Sequence, residues 1–511
     1  MASVVQPASG VPTEIESDDA VPIDESGPIG ESDDGSGAGA GGVRRWPPSV
    51  AGVVGLAVGA WGLLIGLQPL KDNSFLTHLA TGRLILDSGI PRTDPYSFTA
   101  FGRPWVVQSW LASVTYGLAD QVWGGTALRL LMAASTAVIA MLVWRLTRPA
   151  SSLIARVGIA ALALGIGAEA WTERPLLFGL LFLCILLLQA DGRLDPRWAL
   201  PVMWLWVNTH GSFPLGLVAV GLLAIGSRMD GETPRTECRV LAWAAGGTLL
   251  GAVNPLGPRL LLFPVQLLRH QETLHYIVEW KSPTFDTVGQ RLFLVQLAVA
   301  VLLLVRRPSY RVALPLVVFT AAALLGLRNI PVASIVMIPG MAYGAAGLGS
   351  IDGARRSLAT GVAAVALVVL TLLVAVSQLG QPNFALRAYP EDAIRWLDRQ
   401  ELTGTETRLV SRDFVGNYLE AVKGTDVRVF MDDRYDMFPP EVSRDYIGLV
   451  RGIDPGAVLE RYDADVVLWD KDTPLASWLE DADDWGIVYQ DDAWVIACPR
   501  PQPGAAATCS R

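Results

Sequence analysis

The stretch SVAGVVGLAVGAWGLLIGLQ, residues 49–68, contains no charged side chain and is long enough to cross the hydrocarbon core of a bilayer as a helix. Of the 511 residues, 51% are hydrophobic and only 17% are charged, which is unusual for a soluble protein. Eleven further apolar runs follow, near residues 107–123, 125–146, 153–170, 174–190, 197–209, 212–227, 238–255, 288–305, 311–327, 330–347 and 358–379. The sequence therefore predicts a mainly α, polytopic bundle of about eleven or twelve transmembrane helices.

Charge is distributed unevenly along the chain. Residues 1–46 carry nine acids and two bases, residues 47–385 carry fifteen and twenty-four, and residues 386–511 carry twenty-five and fourteen. The bases of the middle region form short clusters between apolar runs, without the continuous stripe and interleaved aromatics that typify a nucleic-acid surface. This pattern indicates a protein embedded in a lipid bilayer and argues against a nucleic-acid partner.

Basic residues recur in every second loop, and the positive-inside rule places such loops in the cytoplasm. All of them can be cytoplasmic only if a single crossing lies between residues 107 and 146. We therefore interpret residues 107–123, a short run that contains Asp120, as an embedded or re-entrant helix, giving eleven crossings. If this run crosses, the count is twelve. The prediction is a multi-pass membrane protein with a cytoplasmic N-terminus and an extracytoplasmic C-terminal domain.

Composition divides the chain into four regions. Residues 1–46 are too polar and acidic to bury a core and are predicted to be disordered, and residues 47–384 form the membrane bundle. In residues 385–500, short β-rich runs (RLVS, VRVFM, DVVLW, WGIVY and AWVIAC) alternate with amphipathic segments, which predicts a small α/β domain. Residues 501–511 look like a flexible tail. A disulfide between Cys498 and Cys509 can form in an oxidising compartment, and the four cysteines have no spacing typical of a metal site.

The predicted external turns carry the unusual polar residues of the chain. A charged group at bilayer depth costs about 2.5–3.5 kcal/mol, so these groups need water or polar partners, and one water-filled cavity would serve many of them. The first long loop (residues 70–106) is longer than most membrane connectors, and such loops are often functional. The external residues considered for a substrate site are Asp72, His78, Arg83, Asp94, Glu173, Arg174, Asn208, His210, Glu279, Lys281 and Arg328.

Some of these residues also have simpler interpretations. Asp72 can be the N-cap of the helix predicted over FLTHLATGRLILDSG. For Asp94, in TDPYS, a turn-forming role is favoured. In the C-terminal domain, Asp432 and Asp433 follow the run VRVFM, at a strand end where α/β sheets tend to bind ligands. Termination of the strand is favoured for this pair, because no Gly-rich phosphate loop precedes it.

Each of two further segments has two interpretations that the sequence supports equally. Asn208 and His210 lie in WVNTHGSFPLG between two short runs, so they either sit below the outer membrane surface or cap and turn a helical hairpin. Glu279 and Lys281 can position an anionic or sugar ligand. They can equally be solvated charges beside Trp280, an anchor in the aromatic belt.

The layout resembles the C-type (GT-C) superfamily of polytopic membrane glycosyltransferases, in particular bacterial glycosyltransferase-like membrane proteins. The resemblance covers roughly residues 47–350 and is carried by DNSFLTHLATGRLILDSGIPRTDPYSFT, GRPWVVQSWL, TERPLLFG, WVNTHGSFPLG, VNPLGPRLL, EWKSPTF and LRNIP. It implies transfer of a sugar from a polyprenyl-phosphate-linked donor to an extracytoplasmic glycan, lipid or protein acceptor.

The resemblance also implies roles for individual residues. In that superfamily, the acid that opens the first external loop is the catalytic carboxylate, and Asp72 matches it as a general base for the acceptor hydroxyl. Arg174, Lys281 and Arg328 would then hold the phosphate, because fixed cations stabilise the charge of the leaving group. Around Asp72 the sequence reads KDNS, without a DxD or ExD pair. No metal ligand and no certain cofactor is therefore assigned, although the resemblance leaves a divalent cation open.

Two other classes of protein fit a dozen apolar segments. A transporter or lipid flippase would use the polar cavity for a solute, but transporters often contain internal repeats and this chain has none that we detect. A non-catalytic envelope scaffold would use its external domain and acidic tail to bind partners.

Overall fold

Mainly apolar runs form the helices of the first part of the chain. The computed structural model describes residues 46–269, 278–349, 353–501, 506, 507 and 509. Residues 1–45 of the predicted acidic tail, which was placed over residues 1–46, therefore lie outside the described residues. The thirteen described helices of the bundle are α1 (Val50–Gly66), α2 (Asn73–Ser88), α3 (Trp110–Leu146), α4 (Leu153–Ala170), α5 (Leu176–Ala190), α6 (Ala199–Thr209), α7 (Pro214–Met229), α8 (Arg235–Leu250), α9 (Arg259–Arg269), α10 (Val288–Arg306), α11 (Tyr310–Leu325), α12 (Ile330–Gly344) and α13 (Leu358–Leu379).

Several of these helices suit a membrane. Among the described residues, α3, α4, α10 and α13 are long and apolar enough to cross one, and α1, α5, α7 and α11 are shorter apolar helices. The last helix, α13, is exposed over most of its length although it is strongly apolar, as expected of a face in contact with lipid. The predicted fold, a helical membrane bundle followed by a small α/β domain, is confirmed.

The helix α3 consists of two parts. The break lies at Trp123 and Gly124, whose backbone angles leave the helical region. The second part runs beside α1, where Gly55 approaches the Trp144 ring so closely that a Cβ would lie 2.6 Å from the indole nitrogen. The first part instead lies against α2. The single crossing between residues 107 and 146 stays a prediction.

The arginine-rich connectors meet at one end of the bundle. Arg193 donates a hydrogen bond to the carbonyl oxygen of Arg145 at 2.7 Å. Arg311 pairs with Asp191 at 3.2 Å, and its backbone N–H donates to Asp230 at 3.0 Å. The loops predicted to share the cytoplasmic side are thus packed together. The compartment that this end faces stays a prediction.

The C-terminal domain is a four-stranded sheet with helices around it. Its strand order is β1-β2-β4-β3, with β1 parallel to β2 and the other pairs antiparallel. Its strands are β1 (Leu409–Ser411), β2 (Val466–Asp470), β3 (Trp485–Gln490) and β4 (Trp494–Pro499). Its helices are α14 (Glu391–Arg399), α15 (Asp413–Lys423), α16 (Pro440–Arg451), α17 (Pro455–Arg461) and α18 (Pro474–Asp481).

The run VRVFM and the disulfide of this domain can be compared with the predictions from the sequence. The run VRVFM, predicted as a strand, forms only single bridges, from Val429 to Leu409 of β1 and to Ser97 of the first long loop. Its backbone is shared between the sheet and a loop of the bundle, so no continuous ladder forms. The disulfide considered from the sequence is present: Cys498 and Cys509 are bonded, with their Cα atoms 5.1 Å apart, so one residue of the predicted flexible tail is tied to β4.

The helix α2 is fixed by close contact with the first part of α3. A Cβ on Gly82 would overlap the carbonyl oxygen of Ser113, and a Cβ on Gly117 would lie 2.7 Å from the carbonyl carbon of Gly82. Backbone atoms cannot move aside as a flexible side chain can, so only glycine permits this approach. The contact determines where the N-terminus of α2 lies.

We expect Gly82→Ala to lower the thermal unfolding midpoint of the detergent-solubilised protein, because overpacking costs about 1–3 kcal/mol. Gly221→Ala is the matched control, since nothing lies within 4 Å of a Cβ built on that helical glycine. The control should unfold at the wild-type temperature or slightly above it. Equal midpoints for both variants would contradict the close packing of α2 on α3.

Candidate active site

Asp72 lies at the N-terminus of α2. It caps the helix, as the simpler interpretation expects, by accepting a hydrogen bond from the backbone N–H of Ser74 at 3.0 Å. The positive end of the helix dipole stabilises a carboxylate at this position. Its second oxygen lies 2.6 Å from Nε of Arg174, and only 8% of the side chain is exposed. Capping therefore occupies one oxygen of Asp72 and an arginine occupies the other.

The segment between α4 and α5 supplies two charged groups that surround Asp72. Glu173 is buried and accepts hydrogen bonds from the backbone N–H groups of Lys71 and Asp72, the latter at 3.0 Å. Burial raises the pKa of Glu173, although the N–H of Asp72 partly offsets this effect. Arg174 also pairs with Glu279. Burial opposes the charge of Arg174, but Asp72 and Glu279 raise its pKa, so the guanidinium remains cationic.

A second guanidinium lies nearby on a pair of short 3-10 turns, residues 278–280 and 327–329. The backbone N–H of Leu327 donates to the carbonyl oxygen of Lys281 at 2.9 Å, which joins the two turns. Arg328 then stacks over Trp280, with its guanidinium carbon 4.4 Å from the ring centroid. Among the described ion pairs, none joins Arg328 to a carboxylate.

These groups form one end of a cavity of about 280 Å³. Asp72, Arg174, Glu279 and Arg328 all line it. The apolar part of its wall comes from α4, α5, α12 and the turn before α12, and consists of Ile166, Leu176, Leu177, Leu180, Leu327, Ile330 and Pro331. Four further polar residues line the same space: Glu169, Thr172, Thr287 and Gln290. The cavity thus offers a charged end and a lipophilic wall to the same ligand.

The two described histidines lie near this end. The Nδ1 atom of His78 is 3.2 Å from the Ser113 hydroxyl, and that of His210 is 2.8 Å from the Ser212 hydroxyl. Burial lowers the pKa of His78 to about 4. Burial, with the charge of Arg328 next in size, lowers the pKa of His210 to about 3. Both imidazoles are therefore neutral at physiological pH and act as hydrogen-bonding groups.

Seven of the eleven residues considered from the sequence do not line the cavity, among them Arg83, Asn208 and Lys281. Arg83 pairs with Asp120 at 2.7 Å. Asn208 is fully buried and accepts a hydrogen bond from the Trp110 indole at 2.9 Å, in keeping with the hairpin interpretation. Lys281 is exposed to solvent. Within the described residues, no group of three or more His, Cys, Asp and Glu side chains is arranged to hold a metal ion.

Asp94 has another position and another set of partners. It is buried and pairs with Arg434 of the C-terminal domain at 2.7 Å, while Asp432 pairs with the same guanidinium at 2.5 Å. Asp94 also accepts hydrogen bonds within its own turn, as the turn-forming interpretation expects. Glu420 completes the cluster and accepts a hydrogen bond from Thr77 of α2 at 2.7 Å. Burial and the Asp432 charge raise the pKa of Glu420 well above its usual range.

Two residues of the C-terminal domain that were not among the candidates for the substrate site reach this region. Asp433 accepts a hydrogen bond from the Ser74 hydroxyl at the start of α2. Tyr389 lies close enough to Asp72 and Asp433 for their charges, after burial, to raise its pKa. The sequence signal was the acidic pair after VRVFM, which on local grounds ends a strand. No sequence pattern around Tyr389 indicates that it lies near the site.

No family model and no curated protein matches the chain. Among solved structures, it is similar to the archaeal oligosaccharyltransferase AglB of Archaeoglobus fulgidus, in complex with an inhibitory peptide and a dolichol-phosphate. The TM-score is 0.48 at 12% identity, covering 82% of this chain and 69% of that one. It is also similar to the mycobacterial arabinofuranosyltransferase AftD, with a TM-score of 0.44 at 14% identity, covering 90% of this chain and 42% of that one. Both are glycosyltransferases, the class that the sequence resembles.

We expect Arg434→Met to destabilise the protein by about 3–5 kcal/mol, because it leaves the buried carboxylates of Asp94 and Asp432 without their cation. Arg408→Met is the matched control, since the Arg408 pair with Asp463 is largely exposed and such pairs contribute about 1 kcal/mol or less. Thermal unfolding and limited proteolysis of the C-terminal domain measure the difference. Similar small effects in both variants would contradict the anchoring role of this cluster.

Proposed function

We propose that this chain is a membrane glycosyltransferase that moves a sugar from a polyprenyl-phosphate-linked donor to a hydroxyl group of an extracytoplasmic acceptor. The observation that carries the proposal is the amphipathic cavity whose charged end holds two guanidiniums and the carboxylates of Asp72 and Glu279. A lipid-linked phosphate has the matching chemistry, an anion attached to a long apolar chain. The glycan, lipid or protein nature of the acceptor is left open.

The donor would enter with its chain along the apolar wall. Leu176, Leu180 and Ile330 supply surface for a prenyl chain, which gains free energy when it leaves water. Its phosphate would then meet Arg174 and Arg328, because guanidiniums make strong charge-assisted hydrogen bonds with phosphate oxygens. Arg328 has no carboxylate partner among the described ion pairs, so a phosphate would not have to displace one there.

Asp72 would serve as the general base. It would accept the proton of the acceptor hydroxyl while that oxygen attacks the anomeric carbon of the sugar. The bond between the anomeric carbon and the phosphate oxygen breaks, and the lipid phosphate leaves with the electron pair. Arg174 is bound to Asp72 before the donor arrives. A phosphate that shares Arg174 would weaken this pair and leave Asp72 a better proton acceptor, while the guanidinium stabilises the departing charge.

Other polar residues would bind or position the substrates. His78 and His210, as neutral imidazoles, are suited to hydrogen bonds with sugar hydroxyls. Glu279 already competes for Arg174 and would help to orient it. Glu173 would act as a positioning residue, because it holds the backbone N–H groups at the start of the loop that carries Asp72.

Two features support an extracytoplasmic site. The disulfide between Cys498 and Cys509 belongs to the domain that packs on α2, and disulfides persist in oxidising compartments. The arginine-rich connectors are gathered at the opposite end of the bundle, which the positive-inside rule assigns to the cytoplasm.

We expect Asp72→Asn to reduce transfer by about 10²–10⁴-fold, the usual contribution of a general base. The assay follows label from a lipid-linked sugar pool in membranes that contain the variant or the wild type. Asp87→Asn is the matched control, because Asp87 is an exposed carboxylate at the other end of the same helix. Undiminished transfer by Asp72→Asn would remove this residue from the mechanism. Solute or lipid flux without any transfer would favour a transporter or flippase.

We expect Arg328→Gln to raise the KM for the lipid-linked donor by about tenfold to a hundredfold, because it removes a hydrogen bond to a charged group. Arg291→Gln is the control, since Arg291 is exposed and bonds only to the backbone carbonyl of Phe285 among the described hydrogen bonds. Initial rates at varied donor concentration give the KM values. Equal values for Arg328→Gln and the control would place the phosphate elsewhere.

A further inference from the structure

The C-terminal domain reaches the charged end of the cavity through Asp433. We propose that Asp433 is a positioning residue, which fixes Ser74 at the start of α2 and modulates the positive charge that a lipid phosphate meets at Arg174. This inference rests on the proposed function and assigns the C-terminal domain a part in donor binding.

Ser74 connects the two acidic groups. Its backbone N–H donates to Asp72 at 3.0 Å, and its hydroxyl donates to Asp433. Any movement of the Asp433 carboxylate is therefore transmitted through Ser74 to Asp72, the residue that caps α2. The domain thus contacts the same residue as the proposed base.

Asp433 itself is held firmly. Its backbone N–H donates at 3.1 Å to the side chain of Asn417, which is fully buried on α15. The residues on both sides of it, Asp432 and Arg434, belong to the buried ion cluster with Asp94. The helix α15 also packs directly on α2. The position of the Asp433 carboxylate is consequently set by the docking of the whole domain.

Charge connects Asp433 with the donor site. Burial raises the pKa of Asp433 to about 7, and the Ser74 hydrogen bond only partly offsets this effect. Arg174 and Asp433 lie close enough for each charge to affect the pKa of the other. The titratable and charged groups that face Asp433 are Arg174, Tyr389, Asp413, Asp432 and Tyr435.

The protonation state of Asp433 determines how strongly Arg174 attracts an anion. Below a pH of about 7 the Asp433 carboxyl is neutral, and the charge of Arg174 is free of its influence. Above that pH, Asp433 carries a negative charge, which weakens the attraction of Arg174 for an anion. His78 and His210, with pKa values of about 4 and about 3, stay neutral throughout this interval. Donor affinity should therefore fall as the pH rises through the neutral range.

The test measures binding of farnesyl methyl phosphate to the full-length protein in nanodiscs, one unit below and one unit above the Asp433 pKa of about 7. This phosphodiester carries one charge that does not titrate in the interval. The wild type should lose affinity by about fivefold, the size expected for one partly screened charge at a distance of several ångströms. Asp433→Asn should bind equally at both pH values, and Asp433→Glu should restore the pH dependence. Asp463→Asn, which alters an exposed carboxylate of the same domain, should behave as the wild type.

The outcomes separate this inference from the proposed function. A parallel pH dependence in the wild type and in Asp433→Asn would overturn the role of Asp433 alone. Failure of the wild type to bind the probe at either pH would contradict the donor site, and this inference with it. A second measurement tests the contact itself: Ser74→Cys combined with Asp433→Cys should form a disulfide under mild oxidation. A folded double variant that does not cross-link would also overturn the inference.

Discussion

The guanidinium of Arg174, shared between Asp72 and Glu279, is the interaction on which the rest of the site depends. The three groups come from different parts of the chain, namely the start of α2, the turn between α4 and α5, and the turn before α10. Burying a charge is costly unless it is paired, so the ion pairs of Arg174 favour an arrangement in which these three segments meet. The pairing gathers three segments at the mouth of an apolar cavity and leaves a cation there that an incoming anion can share.

Docking of the C-terminal domain follows the same physical rule. Arg434 enters a cluster of buried carboxylates, two of them from its own domain and one from the first long loop. Such an ion pair contributes little net stability, but breaking it is expensive, so it fixes one arrangement of the two domains. This arrangement brings Asp433 to Ser74. The C-terminal domain therefore takes part in the proposed donor site.

The sequence predicted well whatever depends on local pattern. The apolar runs predicted the helices, and the arginine clusters lie at the end of the bundle where the connectors meet. Asp72, the acid that follows the first apolar run, lines the cavity. Contacts between distant residues left no such trace. Asp94 is explained locally by its turn, yet its main partner, Arg434, lies 340 positions away. Ser74 and Asp433 are separated by 359 positions, so local pattern favoured termination of the strand over ligand binding for the acidic pair. The run VRVFM has strand-like composition, but pairing with a loop of the bundle limits it to single bridges.

We propose that the phosphate of a lipid-linked donor binds between Arg174 and Arg328, beside Asp72. A cryo-EM structure of the protein in nanodiscs with a polyprenyl phosphate would locate this phosphate. We expect phosphate density in contact with both guanidiniums and a prenyl chain along α5 and α12. Phosphate density at the arginine-rich end of the bundle, with the cavity beside Asp72 empty, would contradict it.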